Sequence, residues 1–159
     1  VNVNPVPVVN LGADIAQCGG SVTLDAQNAG ASFVWSDNST GQTLVVSASG
    51  TYAVVVTDAN GCEGTDTIVV AINDFVTVNL GVDSTQCGGT ITLDAQNAGA
   101  SYVWSDNSTN QTLVVSASGT YFVDVTDING CEGSDTVNVV INTPPTVTGT
   151  ASATTVCLD

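Results

Sequence analysis

The 159-residue chain contains no lysine, no arginine, no histidine and no methionine, against 15 acidic side chains and a formal net charge of −15. Each absence excludes a class of chemistry. Without histidine there is no Ser–His or Cys–His nucleophile pair and no imidazole metal ligand. Without lysine there is no Schiff base and no Lys–Asn isopeptide crosslink. Without either cation nothing clamps a phosphate, and the net charge repels nucleic acid and anionic lipid. Trypsin has no site. Charged residues make up only 9% of the chain, and no apolar run approaches the roughly 18–20 residues of a membrane span, so no membrane insertion by this segment is expected. No initiator methionine, signal peptide or sorting tail is seen, and the ends read as cuts rather than natural termini.

What is present favours strands. Hydrophobic residues reach 43%, too many for a disordered acidic tail. They are largely Val, with Ile, Leu, Tyr, Phe and Trp among abundant Thr and Ser, and β-branched side chains suit a pleated surface better than a helical one. Five cysteines in a chain with no metal-binding partners for them point to an oxidising, extracellular compartment.

Internal repetition decides the architecture. Cys18 recurs as Cys87, Trp35 as Trp104, Tyr52 as Tyr121 and Cys62 as Cys131, always 69 residues on. Residues 10–73 and 79–142 agree at 50 of 64 positions without a gap. Val1-Asn2-Val3-Asn4 aligns with Val70–Asn73 and Val139–Asn142, the close of a unit, while Thr146 to Asp159 reads like the opening of another, with Cys157 one residue out of register. The expected division is a tail and linker at 1–7, repeat 1 at 8–73, repeat 2 at 74–142, and the start of a further repeat at 143–159.

Within each unit, short alternating runs stand between turn residues. In GTYAVVVTD, Tyr52, Val54 and Val56 share one face, and the second copy keeps them as Tyr121, Val123 and Val125. Asp124 replaces Val55 on the opposite face, which marks that face as solvent and the first as core. Similar runs occur at SVTLDA, SFVWSD, TLVVS and DTIVVAI. Asn60-Gly61 signals a two-residue hairpin turn. Six or seven strands per unit are expected, in a small two-sheet sandwich anchored by Trp35 and Trp104.

So small a domain usually needs a staple. Cys18–Cys62 and Cys87–Cys131 enclose equal spans of 43 intervening residues, each closure stabilising by about 4 kcal/mol on a chain-entropy account. Pairing within repeats is expected because it can be reproduced indefinitely along an array. Cys157 is then expected to have its partner outside this segment, a free thiol or an intermolecular bond being the alternative.

The stretch LGADIAQCGGSVTLDAQNAGASFVWSDNSTGQTLVVSASGTYAVVVTDANGCEGTDTIVV resembles the Ig-like or PKD-like repeats of very large secreted proteins of Bacteroidota. The features that carry it are CGG before a TLDA strand, a V-W-S strand, S-G-T-Y opening a long strand, and V-T-D-x-N-G-C near the end; the likeness covers nearly the whole chain. The resemblance implies cell-surface adhesins, gliding-motility filaments among them, and proteins exported by the type IX route, in which such repeats are spacers or adhesive modules without catalytic residues. The fold expected is all-β: tandem small Ig-like β-sandwiches, one disulfide per repeat, strung as beads.

Four groups of residues are candidate sites. Asp58, Asn60, Glu63 and Asp66, with Asp127, Asn129, Glu132 and Asp135 in the second copy, offer hard oxygen ligands of the kind Ca²⁺ takes, although the D-x-N-G-x-E spacing matches only part of a calcium loop and also serves as a turn. Thr67, Ser84 and Thr136 sit in Asp-Ser/Thr motifs that look like the O-glycosylation signal of Bacteroidota. Asn38, Asn107 and Asn110 satisfy the N-x-Ser/Thr pattern, whose plainer role is a polar loop after the Trp strand. Paired carboxylates could in principle hydrolyse a glycoside, but a duplicated small unit without an obvious cleft argues against an enzyme. No cofactor is required, Ca²⁺ being optional.

The function expected is that of an extracellular stalk or spacer at the cell surface, its partners being neighbouring repeats. Two alternatives come from other classes: a self-assembling pilus-like subunit that donates VNVNPVPVVN as a strand, and a calcium-dependent module binding surface glycans. The latter needs exposed aromatics, and the candidates are Phe75, Phe122, Phe33 and Tyr102.

Overall fold

A computed structural model describes residues 4–146, 148 and 149. The described residues contain no helix and form two copies of one six-stranded arrangement. In the first unit these are β1 (Ile15–Cys18), β2 (Val22–Asp25), β3 (Ser32–Trp35), β4 (Thr43–Val46), β5 (Gly50–Thr57) and β6 (Glu63–Asn73); in the second they are β7 (Ser84–Cys87), β8 (Ile91–Asp94), β9 (Ser101–Trp104), β10 (Thr112–Val115), β11 (Gly119–Thr126) and β12 (Glu132–Asn142). One sheet of each unit has four strands, in the orders β1-β6-β5-β3 and β7-β12-β11-β9, and the facing sheet has two, β2-β4 and β8-β10.

The alternation read from sequence sets which side chains meet between the sheets. Val54 and Val56 on β5, with Ile68 and Val70 on the paired strand β6, point inward and are buried. Val22, Leu24, Leu44 and Val46 cover them from the two-stranded sheet. Trp35, 2% exposed, and Trp104, 1% exposed, are the largest buried side chains of their units. Each indole N–H donates to a loop carbonyl, of Gly41 and Asn110 at 2.8 Å, so the buried polar atom is satisfied. Phe33 and Tyr102 also face the core, which corrects the expectation that they are surface aromatics. Asp124 and Phe122 lie on the outer face, as the pattern requires.

Ahead of each first strand runs an extended segment outside the sheets. Val9 and Leu11 pack against the first core, and Val76, Val78 and Leu80 against the second. A carboxylate from the last strand pins each: the Leu11 N–H donates to Asp66 at 2.7 Å and the Leu80 N–H to Asp135 at 2.8 Å. The stretch expected as a donated strand therefore already lies on its own unit at Pro7 and Val9.

The hairpin at Asn60-Gly61 differs from expectation. β5 and β6 are joined by the five residues 58–62, with Gly61 N–H bonded to the Asp58 carbonyl and Asp58 N–H to the Cys62 carbonyl, both at 3.0 Å. Only Gly61 takes a positive φ, 82°, whereas a two-residue type I′ turn needs it at both central positions. The Asp58 side chain makes the longer loop possible, because one of its oxygens accepts from both the Asn60 and Cys62 N–H groups at 2.8 Å.

Candidate functional site

The cysteines do not pair as expected. A single disulfide lies among the described residues, and it joins Cys18 of the first unit to Cys131 of the second, with a Cα–Cα distance of 5.6 Å. Cys62 and Cys87 are thiols; Cys157 lies outside the described residues. Strand direction explains why neither Cys18–Cys62 nor Cys87–Cys131 can form. β1 pairs with β6 in parallel, and Cys18 stands opposite Asn73, the last residue of β6. Cys62 precedes the first residue of the same strand. Eleven residue steps at about 3.3 Å put the two cysteines roughly 36 Å apart, while a disulfide requires Cα atoms within about 7 Å. The cysteines of one unit therefore sit at opposite poles, and the expectation of one disulfide per repeat is replaced by one disulfide across the joint.

Sequence and geometry build the joint together. The Gly19 N–H donates to the Asn73 carbonyl at 2.8 Å, extending the β1–β6 ladder by one bond, and the Gln17 side chain caps the Gly19 carbonyl at 2.8 Å. Gly19 has φ +59°, and a Cβ there would strike the ring of Phe75, so glycine lets the linker aromatic lie on the backbone beside Cys18. Beyond Phe75 the chain is already part of the second unit: a Cβ on Gly133, two residues after Cys131, would strike the Val76 carbonyl oxygen. The disulfide and the Asn73-Asp74-Phe75-Val76 linker thus run side by side between the same two poles. A single linker permits bending and twisting; a second covalent tie beside it removes most of both. The buried state of Cys131, 0% exposed, shows how closely the joint is covered.

The acidic turn residues serve the backbone. Asp58 and Asp127 have their carboxyls held below the usual value, first by the N–H of Cys62 and of Cys131 respectively. Asp66 is lowered chiefly by the Leu11 N–H, and Asp83 by the Asn138 N–H. Each is a charge-assisted bond to an amide, which takes the place of an ion pair in a chain without cationic side chains. Asn60 and Asn129 turn back onto their own Asp58 and Asp127. Among the described residues, no three acidic, histidine or cysteine side chains gather as a metal would require; Glu63 and Glu132 stand exposed at the strand starts, away from any such group.

The modification candidates separate by exposure. Thr67 and Thr136 lie on the outer face of β6 and β12 and are exposed. The Ser84 hydroxyl is buried without a hydrogen-bond partner, so a sugar cannot reach it on the folded unit. Asn38 and Asn107 take positive φ, 67° and 65°, in the loop after the Trp strand, with their N–H groups bonded to the Trp35 and Trp104 carbonyls; they and Asn110 are exposed.

A shallow apolar crevice of about 340 Å³ lies beside the joint, lined by Val76, Ala98, Gly99, Ala100, Asp127 and Ile128. Its copy on the first unit, about 280 Å³, holds Pro7, Ala29, Gly30, Ala31 and Asp58. Each holds a single carboxylate, Asp127 or Asp58, and that carboxylate already accepts from the N–H groups of its own turn.

No protein-family model matches the chain, and no curated protein matches it. Among solved structures it is similar to the insect immune protein hemolin, at 13% identity and a TM-score of 0.52, over 87% of this chain and 47% of that one. It also aligns with the two Ig domains of DIP-gamma, at 12% identity and a TM-score of 0.47, over 87% of this chain and 98% of that one, and with the I67–I69 fragment of titin, at 14% identity and a TM-score of 0.47, over 89% and 68%. The similarity to hemolin bears on the fold alone. Each unit is an Ig-like β-sandwich. No helix among the described residues is long and apolar enough to cross a membrane.

Proposed function

We propose that this chain is part of a non-enzymatic, extracellular stalk: a run of Ig-like units that sets distance and direction for a surface adhesin or filament. The observation that carries the reading is the joint, where Cys18–Cys131 runs beside the linker. A module that only displays a binding loop has no need of a covalent tie to its neighbour, whereas a spacer gains stiffness from it. The poles joined are the C-terminal end of β1 and the N-terminal end of β12, which places the units end to end. The resemblance to repeats of large secreted adhesins of Bacteroidota supports the same reading, as does a disulfide suited to an oxidising compartment. Dense negative charge, with no cation to offset it, opposes side-by-side clumping of neighbouring stalks within the roughly 8–10 Å over which salt leaves charges felt.

Small-angle scattering of the oxidised chain tests this. An elongated particle of narrow shape distribution is expected, broadening when the disulfide is reduced. A compact particle with the units side by side would overturn the reading. Titration with calcium and with a glycan panel completes the test, no binding being expected of a spacer; saturable glycan binding would make the chain an adhesive module instead.

A further inference from the structure

The internal joint uses one cysteine of each kind, Cys18 from the lower pole of one unit and Cys131 from the upper pole of the next. Offset by 69 residues, the same positions recur at the two poles that face away from the joint: Cys62 is the copy of Cys131, and Cys87 the copy of Cys18. Their surroundings are copied as well. The Cys62 N–H is held by Asp58 as the Cys131 N–H is by Asp127, each at 2.8 Å. The Gly88 N–H donates to the Asn142 carbonyl at 2.8 Å, as Gly19 does to Asn73. Gln86 caps the Gly88 carbonyl at 2.7 Å. Pro144 crosses Gly88 where Phe75 crosses Gly19. Only the cover differs: Cys131 is buried, Cys62 is half-buried and Cys87 is exposed.

We infer that Cys62 and Cys87 are joint cysteines awaiting a neighbour, and that each bonds to the complementary cysteine of a further copy of this unit. Cys62 takes the Cys18-type thiol of a preceding unit, and Cys87 the Cys131-type thiol of a following one. The array is then a ladder with one disulfide across every joint. The inference rests on the spacer reading for the presence of neighbouring units. It does not rest on thiol exposure alone, because the bonded copy at the internal joint supplies both the partner's identity and the geometry. Cys62 and Cys87 cannot satisfy one another within the chain, since they occupy its two far poles, separated by both unit lengths. Each new bond removes two protons and two electrons from a pair of thiols, and a small disulfide oxidant such as glutathione disulfide takes them up to become two thiols.

The test mixes two single-thiol variants of the full chain, Cys62→Ser and Cys87→Ser, each also carrying Cys157→Ser, in a glutathione redox buffer. Retention of Cys18–Cys131 in both, read by mass, confirms that each is folded. The mixture is expected to give a disulfide-linked dimer at least tenfold above either variant alone, with Cys87 bonded to Cys62 after cleavage at acidic residues. Equal dimerisation of each variant by itself, or no dimer in the mixture, would overturn the inference. A chain lengthened in frame by one further unit distinguishes the source of the neighbour. A bond from Cys87 to the added unit at monomer mass assigns it to the same polypeptide, and the same bond at dimer mass assigns it to a second copy. An added cysteine bonded within its own unit would overturn the ladder. Because these readouts follow bond identity and not particle shape, their failure can be told from failure of the stalk reading.

Discussion

Cys131 and Cys62 occupy one and the same place in two units that agree at 50 of 64 positions, yet Cys131 is sealed and bonded while Cys62 is a half-buried thiol. The turn before each, the aspartate that caps it and the strand that follows are alike. The difference is the neighbour. In this molecule the environment of a cysteine is decided by whether a second unit stands on that pole, so burial here is a property of the joint.

Trp35→Ala and Trp104→Ala are expected to have the largest effect, about 3–5 kcal/mol of stability lost from the mutated unit. Each unit holds one tryptophan, so the fluorescence of the survivor reports the other unit alone. Two separate melting transitions are expected, and a single shared transition would show that the joint couples the units more than their cores do. Cys18→Ser comes next, at about 2–4 kcal/mol, and it should make Cys131 react with a maleimide as readily as Cys62 does; continued protection of Cys131 would mean that the linker alone covers it.

Gly133→Ala places a methyl on the Val76 carbonyl, and Gly64→Ala one on the Pro7 carbonyl. A cost of about 1–3 kcal/mol is expected for overpacking of this kind. Thermal melts should show the larger loss at Gly133, since Val76 is held beside the Cys18–Cys131 bond and Pro7 lies at the pole of the unbonded Cys62. Equal losses would show that the disulfide does not fix the linker.

Acid has a smaller effect. The carboxyls of Asp58, Asp66, Asp83 and Asp127 are lowered from 3.8 by amide donors. The stability they contribute is complete above about pH 3.8 and is lost as pH falls through the lowered folded values. Tm should be flat between pH 8 and 5 and decline below about pH 4. A Tm that climbs steadily with acid would show relief of charge repulsion outweighing the lost bonds. Salt gives the smallest change, of unusual sign. Without Lys, Arg or His there is no side-chain ion pair to weaken, so 0.5 M NaCl should raise Tm by about 2 °C, roughly 0.5 kcal/mol for domains of this size. A fall in Tm would contradict it.

The fold was legible where local pattern carries it. The offset of 69, the inward face of Tyr52, Val54 and Val56, the exposed Asp124 and the central tryptophans all follow from period-2 alternation and repetition. The disulfide was not, because alternation gives the face of a strand but not its direction relative to distant strands. The parallel pairing of β1 with β6 places Cys18 at Asn73 rather than near Cys62, and no local signal announces it. Reproducibility along an array could not decide the matter either, since bonds within units and bonds across joints repeat equally well. Phe33 and Tyr102 were misplaced for a related reason: their outward or inward sense follows from Trp35 and Trp104, two residues on, which share their face. The carboxylate sites looked like ligand sets because sequence spacing cannot show that Asp66 is committed to the Leu11 amide.

The path between the two outward-facing thiols sets how the molecule bears load. From Cys62 the backbone descends the eleven residues of β6, crosses at Asp74 and Phe75, and then follows β12 downward: Val76 beside Gly133, Leu80 at Asp135, Ser84 opposite Val139, Cys87 opposite Asn142. Twenty-five residue steps separate the two cysteines, and most are already extended at about 3.3 Å each, the turn at 79–83 with Gly81 at φ 88° being the exception. Such a strand is a cable with almost no slack. When both ends are bonded to further units, tension passes along this cable and into the next disulfide, and a second cable, staggered by one unit, leaves from Cys131. Melting a sandwich would then release little length, so the chain would keep most of its reach under pull while its covalent bonds held.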